Sequence, residues 1–255
     1  MIYHEMRSPD LAQVNRESTV VVLPVAAVEQ HGPHMPTGTD TILVTAIAKA
    51  LEQRRPQQVL LLPTYWLGAS SHHLRFGATL DARLGTLIAA LKDICVSLLN
   101  DGYQRILLLN GHGGNVDPLK VALRELQPGY PRALLAGGSY WSGINDLINS
   151  TLEGEHRFVG HACEFETSLM MHLQPQLVDT SSLNAAGELV TDNIEGMFIS
   201  RDMRQRTNSG FTGRPDLASA AKGEALFEGI VSKLEKLTIK MQDQILGETY
   251  RDFSG

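Results

Sequence analysis

The chain has 255 residues, of which 43% are hydrophobic, and its formal net charge is −6. This composition excludes a disordered chain, and the length fits one large α/β domain better than two small ones. No basic cluster or membrane-length apolar run occurs, so we expect neither nucleic acid nor membrane as a partner. The N-terminal segment lacks signal-peptide regions, and Cys95 and Cys163 form no disulfide framework, which makes the cytoplasm the expected compartment.

The first candidate site follows the apolar run 19–25, which has the length of one buried strand. Within twelve positions it is followed by Glu29, His31, His34 and Asp40, separated by two prolines and two glycines. In an extended backbone Glu29 and His31 point the same way, roughly 6–7 Å apart. Carboxylates and an imidazole at one spot indicate a metal site in which Asp40 could bridge two ions. For Glu29 or His31 alone, a solvated polar loop is the simpler interpretation.

The next segments alternate between helix, strand and loop. Apolar spacing predicts a helix over 41–51 and a short strand over 59–62. The loop 66–79 is rich in small residues and carries His72 and His73. Small residues interleaved with polar ones suit a pocket wall, but an ordinary surface loop has the same composition, so both interpretations stay open.

The central part of the chain repeats a strand–loop–helix cycle. The predicted elements are a helix capped by Asp81 that ends before Gly102, a strand over 106–109, a helix over 116–126 and a strand over 132–137. Such cycles predict a mostly parallel sheet covered by helices on both faces. Ligands of these sheets gather outside the carboxyl ends of the strands. Glu29, His31 and His112, the last in the glycine-rich loop 110–115, all fall there.

A second group of acidic residues precedes an apolar helix over 169–173. His161, Glu164 and Glu166 lie just before or within its first turn. Ordinary N-terminal capping would account for one glutamate, but it leaves the neighbouring histidine unexplained.

The C-terminal third contains a long excursion and a final helix. Residues 178–215 are rich in Thr, Ser, Asn and Gly, which favours a lid or an interface over a linker. An amphipathic helix over 218–247 follows. No internal repeat or domain boundary is visible, so we expect a single domain over residues 1–255.

Four stretches together resemble the creatininase family of binuclear metal amidohydrolases, and the resemblance spans nearly the whole chain. They are Glu29-x-His31 with Asp40, Asn110-Gly-His112, His161-Ala-x-x-x-Glu166-Thr-Ser168, and Gly210-Phe-Thr-Gly-Arg-Pro215. The resemblance implies a three-layer αβα fold with a mostly parallel central sheet. It also implies two divalent ions per subunit, in first place zinc, with manganese or iron as alternatives. A homo-oligomer, hexameric as in creatininase itself, and a small-molecule substrate are further implications.

The resemblance also implies a set of metal ligands. Carried over position by position, Glu29, Asp40 and His112 would hold one ion, and His31 with Asp40 the other.

One ligand of the second ion does not carry over. Family members with a glutamate two residues after the Asn-Gly-His histidine use it on the second ion, and here that position is Gly114. We infer that Glu166 supplies the missing carboxylate, with Glu164 as its substitute. Glu164 is also counted, with His161, among the catalytic candidates.

The resemblance implies hydrolysis of a C–N amide bond in a small, cyclic substrate by a hydroxide shared between the ions. His161 is the candidate for taking and returning the proton, since imidazole can do both near pH 7. A structural histidine bonded to a backbone carbonyl is the alternative. His34 and His73 are candidate substrate contacts, although packing roles would account for both. Asn115 would orient the glycine loop or a ligand.

Creatinine is not the substrate we expect. Creatininase has aromatic and acidic residues at the positions of Gly113, Arg157 and Phe158, so its substrate-gripping side chains are absent here. Other branches of the family open formylaminopyrimidine amides, cleave a modified peptide C-terminus or hydrolyse an inositol-derived ketone. The alternatives are therefore hydrolysis or C–C cleavage of a cyclic polyol ketone of inosose type, or a non-catalytic metal-stabilised module that binds a protein through 178–215.

Overall fold

The computed structural model describes residues 1–155, 157–190 and 194–244. Four parallel strands form the sheet in the order β2-β1-β3-β4, and their bounds are Val20–Val25 (β1), Val59–Leu61 (β2), Arg105–Asn110 (β3) and Leu134–Ser139 (β4). The α-helices are Ser8–Ala12 (α1), Thr39–Arg54 (α2), Leu84–Asn100 (α3), Val116–Leu126 (α4), Asn145–Thr151 (α5), Glu164–Leu173 (α6), Met203–Arg206 (α7) and Ala220–Asp243 (α8). None of the helices in these ranges is long and apolar enough to cross a bilayer.

Helices cover the sheet on both faces. Alternate side chains of β1 point to opposite faces, so Val20 and Val22 enter one core while Val21 and Leu23 enter the other. The first core is completed by α2, α6 and α8, and the second by α3 and α4. This arrangement confirms the predicted three-layer αβα fold with a parallel central sheet.

One predicted helix cap differs from the structure. Asp81 does not cap α3: the helix begins three residues later, and the Asp81 carboxylate accepts a hydrogen bond from the backbone N–H of Ser70 (2.7 Å). The N-terminus of α8 is capped by the Ser219 hydroxyl, which accepts a hydrogen bond from the backbone N–H of Lys222. The predicted end of this helix, at residue 247, lies outside the described residues.

Register brings the ends of the central strands to one edge of the sheet. Val25 pairs with Asn110, and Asn110 with Ser139, so the loops after β1, β3 and β4 leave side by side. The buried Asn115 side chain joins two of them to the loop after β2, because it donates to Ala26 O (2.9 Å) and accepts from Ala69 N–H (2.9 Å). This edge carries the candidate site.

Candidate metal centre

Four of the predicted ligands lie buried together at this edge. Glu29 and His31 follow β1, Asp40 lies in the first turn of α2, and His112 follows β3. None is more than 4% exposed. Asp40 faces the positive end of the α2 dipole, which favours its ionised form.

Asp40 lies between two imidazoles. Its Oδ1 is 3.1 Å from Nε2 of His31, and its Oδ2 is 3.1 Å from Nδ1 of His112. The other ring nitrogen of His112 is 3.3 Å from Oε2 of Glu29. One carboxylate thus presents a separate oxygen to each side of the cluster, the geometry that a carboxylate bridging two ions requires.

Potential ligand atoms form three groups, and within each group the atoms lie within 4.8 Å of one another. They are Glu29, His72 and His112; His31, Asp40 and Glu166; and Glu29, His31 and His161. The second group is the set inferred from the sequence for the second ion. His72 was not predicted as a ligand, although the adjacent histidines of the 66–79 loop were a visible signal. It lies in a short 3₁₀-helix, Ser71–Phe76, beside the cluster.

The charge and hydrogen bonding of the cluster fit bound cations. Both Oε atoms of Glu29 and Oδ2 of Asp40 are buried without a hydrogen-bond partner in the described part of the chain, where their ion-pair partners are all histidines. Burial raises the pKa of Glu29 and of Glu166 to about 7, because the ionised carboxylates lose water. Buried carboxylates of this kind are stabilised by metals, and mixed carboxylate and imidazole donors suit zinc, manganese or iron.

The two glutamates of α6 point to different places. Glu166 accepts a hydrogen bond from the Ala162 N–H (2.6 Å) and belongs to a ligand group. Glu164 is instead paired with Lys222 (2.6 Å) and accepts from two backbone N–H groups, including that of Gly154 (3.0 Å). Its carboxylate lines a neighbouring cavity of about 370 Å³. These contacts direct the Glu164 carboxylate away from the cluster, where both roles predicted for it, substitute ligand and catalytic group, would require it.

His161 faces the cluster with one ring nitrogen. Its Nε2 lies 2.8 Å from Gln30 O, to which it donates, so Nδ1 is left as an acceptor 3.4 Å from Oε1 of Glu29. Burial, and then the neighbouring His31, hold the pKa of His161 well below its usual value. A neutral ring with a free Nδ1 can take up a proton or bind a metal.

His73 lies in the cavity wall and contacts the cluster as well. Its Nδ1 accepts from the side-chain amide of Gln30 (2.8 Å), so its Nε2 carries the proton and faces Oε1 of Glu29 at 3.2 Å. The predicted substrate contact therefore also orients a candidate ligand.

The remaining two candidates for substrate binding have their polar atoms turned toward the protein. His34 is 1% exposed, donates to Ala162 O (3.0 Å) and packs edge-on against Phe211. Asn115 is fully buried, and its amide makes the two backbone hydrogen bonds described above. These contacts give both residues packing and loop-positioning roles in place of the predicted contact with substrate.

A cavity of about 500 Å³ opens over the cluster. Its floor includes Glu29, Asp40, His112 and Glu166. Its wall residues from the rest of the chain include Trp141, Phe158, Leu189, Phe198, Arg201 and Arg206. The last four come from the 178–215 excursion, which thereby forms part of the site.

The glycine that replaces the expected glutamate is tightly enclosed. A Cβ on Gly114 would collide with Ala69 O and lie 2.5 Å from Nε2 of His112, whereas a Cβ on Gly113 meets nothing within 4 Å. We therefore expect Gly114→Ala to displace His112 and to lower metal content and any activity at least about tenfold, the scale of mutations that disturb ligand orientation. Gly113→Ala is the matched control, and both are compared by elemental analysis. Equal metal content in the two variants would contradict this prediction.

Comparison with known proteins places these motifs in one group. The family model for creatininase, described as creatinine amidohydrolase, matches residues 4–238. The chain is 34% identical over 236 residues to a creatinine amidohydrolase of Pseudomonas putida, covering 85% of this chain and 87% of that protein. It is 29% identical over 224 residues to a mycofactocin precursor peptide peptidase of Mycobacterium ulcerans, covering 83% and 81%. A 3-dehydro-scyllo-inosose hydrolase of Thermotoga maritima is 26% identical over 258 residues, covering 92% and 81%.

Solved structures show the same likeness. A manganese form of creatininase superposes with a TM-score of 0.82 at 27% identity, covering 95% of this chain and 99% of that one. A mutant creatininase of Zn-Zn type gives a TM-score of 0.82 at 27% identity, covering 95% and 98%.

Proposed function

The chain belongs to the creatininase family, a family of hydrolases, and we propose that it is a two-metal hydrolase that cleaves a C–N amide bond of a small substrate. The observation that carries this proposal is Asp40, which presents one oxygen to His31 and the other to His112 inside a buried cluster. One domain over residues 1–255 would carry the activity.

The donor atoms divide into two sets that share Asp40. Glu29, Asp40 and His112 would hold one ion, with His72 close enough to join them. His31, Asp40 and Glu166 would hold the other. Zinc or manganese is the expected metal, since both occur in similar creatininase structures.

Two divalent ions at this position would supply a hydroxide at neutral pH and a Lewis acid for the substrate carbonyl. The chain's own groups would do the rest. Gln30 O fixes the His161 ring so that Nδ1 faces the cluster and can take and return a proton. Trp141 and Phe158 form an apolar wall that limits water and gives a small substrate a flat surface.

Relatives of this chain are named for different substrates, so the bond that it cleaves is identified by experiment. The protein is loaded with zinc or manganese and offered lactams, N-formyl and N-acyl amides, and cyclic polyol ketones. We expect release of amine, or ring opening, that stops on chelation and returns with metal. Turnover of the ketones alone would instead support the second candidate, favoured by the likeness to the inosose hydrolase over 92% of the chain. Full metal occupancy without any turnover would support a binding module.

Assembly into a homo-oligomer is a second part of this proposal. It is supported by three apolar side chains of the excursion, Ile194, Met197 and Phe198, which are 58%, 66% and 89% exposed in the single chain. Exposed apolar side chains that cluster in sequence are typical of interaction surfaces.

A further inference from the structure

We propose that Arg206 is a specificity residue that binds a carboxylate carried by the substrate, at the place where the cavity opens to solvent. The proposal rests on the proposed function for the nature of the reacting bond and adds the class of substrate: an amide that bears an anionic group beside its scissile bond. Three observations support it, namely a guanidinium with no carboxylate partner among the described residues, its fixed backbone and the charge of the site.

Arg206 differs from the arginines around it. Arg75 is paired with Asp202 (2.8 Å), Arg204 stacks on the ring of Phe76 at 3.7 Å, and Arg214 is paired with Asp216. Among the described residues, no carboxylate or aromatic ring is paired with the Arg206 guanidinium, although this side chain lines the same cavity as Glu29 and Asp40. An exposed arginine at a cavity mouth is therefore available for a ligand.

The backbone of Arg206 is held in place on both sides. α7 begins with a capping box on Asp202, whose carboxylate also binds Arg75 of the 3₁₀-helix that carries His72 and His73. At the other end, the Val190 N–H donates to Arg206 O (2.8 Å), next to a bridge between Leu189 and Thr207. The backbone around Arg206 is therefore ordered before a ligand binds. Binding by its side chain then loses less conformational entropy.

The charge of the site allows an anion at this point. Two divalent ions would bring four positive charges, which the carboxylates of Glu29, Asp40 and Glu166 and one bound hydroxide would balance, so the loaded cluster would not repel an anion. Arg206 lines the same cavity as His72 and His112. The rim carboxylate Asp117 already lies 3.3 Å from Lys120. A substrate carboxylate beside Arg206 would therefore be paired with a guanidinium and would meet no opposing negative charge from the cluster.

Guanidinium is suited to this task because its planar fork binds both oxygens of a carboxylate at once. Trp141 and Phe158 on the same cavity wall can pack against an apolar group of the same substrate. The geometry therefore fits an N-acyl or N-formyl amino acid, or a carboxylate-bearing lactam, better than a neutral amide of equal size.

The test compares two probes that differ only in charge, N-formyl-L-phenylalanine and its carboxamide. Each is titrated calorimetrically into zinc-loaded protein, for the wild type, Arg206→Gln, Arg206→Lys and the control Arg124→Gln, an exposed arginine on α4. We expect the wild type and Arg124→Gln to bind the carboxylate about tenfold more tightly than the carboxamide, the scale of one charge-assisted hydrogen-bond pair. Arg206→Gln should lose this preference, and Arg206→Lys should keep part of it.

Metal content is measured in every variant, so that a loss of ions is not mistaken for a loss of recognition. An unchanged preference in Arg206→Gln would overturn the proposal, since the carboxylate would then be bound by the ions or by another side chain. Equal affinities in the wild type, or binding of neither probe, would also overturn it. If none of the amides and lactams of the substrate panel is hydrolysed, the proposed function fails while the ratio of affinities still decides the role of Arg206.

Discussion

Asp40→Asn is expected to remove at least one bound ion and to lower turnover more than about 100-fold, beyond the range typical of changes to residues that only support a ligand. The side chain keeps its shape but loses its charge, and one of its two oxygens becomes an NH₂ group. Whichever way the amide turns, a donor then points toward His31 or His112, each 3.1 Å from the present carboxylate. Elemental analysis and turnover at saturating metal measure the two effects.

His112→Ala should behave in the same way, because this ring is within reach of both Asp40 and Glu29. Asp146→Asn, an exposed change on α5, is the matched control for charge. A protein with Asn at position 40 that retains two ions and its normal rate would show that Asp40 does not bridge, and the two-metal assignment would have to be abandoned.

The strands and the edge they create could be predicted from the sequence, since a buried parallel strand is a short apolar run whatever lies beside it. The run 19–25 begins one residue before β1, and the run 106–109 is one residue shorter than β3 at each end. The residues directly after them were consequently placed at the right edge. The position of Glu29 relative to His112 follows from parallel pairing alone.

The choice between Glu164 and Glu166 could not be made in this way. Two residues apart on an α-helix, their side chains point about 200° apart, so only one of them can face the cluster. Which one does so depends on how α6 packs, and Lys222 of α8 is on the side of Glu164. That partner is 58 residues away in sequence, and no local pattern indicates it.

The partners of buried polar residues are hard to predict for a related reason. His34 and Asn115 have the residue types and neighbours of substrate-binding groups, yet Nε2 of His34 and the amide of Asn115 hydrogen-bond to backbone atoms. His72, in contrast, is not among the ligands predicted from the sequence, although its ring lies within reach of Glu29 and His112. A sequence shows which side chains can bind a ligand, whereas the fold decides which of them already have a partner.

His161→Ala is expected to lower turnover by about 10²–10⁴-fold, the usual contribution of a positioned acid–base group, while both ions remain bound. The expectation follows from the ring's orientation. Nε2 donates to Gln30 O, which leaves Nδ1 without a proton and facing the cluster, 3.4 Å from Oε1 of Glu29. The same nitrogen lies close enough to Glu29 and His31 to be a metal ligand, and the two roles predict different results.

Elemental analysis separates these roles. If Nδ1 is a proton carrier, the alanine variant keeps its ions, its pH–rate profile loses one limb, and added imidazole restores part of the rate. If Nδ1 is a ligand, the variant loses an ion and imidazole restores metal content as well. His172→Ala is the control, because this histidine lies on the same helix, α6, as Glu166 but packs against Phe227. An alanine variant at 161 with full metal and an unchanged rate would exclude His161 from the reaction. The proton would then have to come from another group of the cavity, such as His73, whose Nε2 lies 3.2 Å from Oε1 of Glu29.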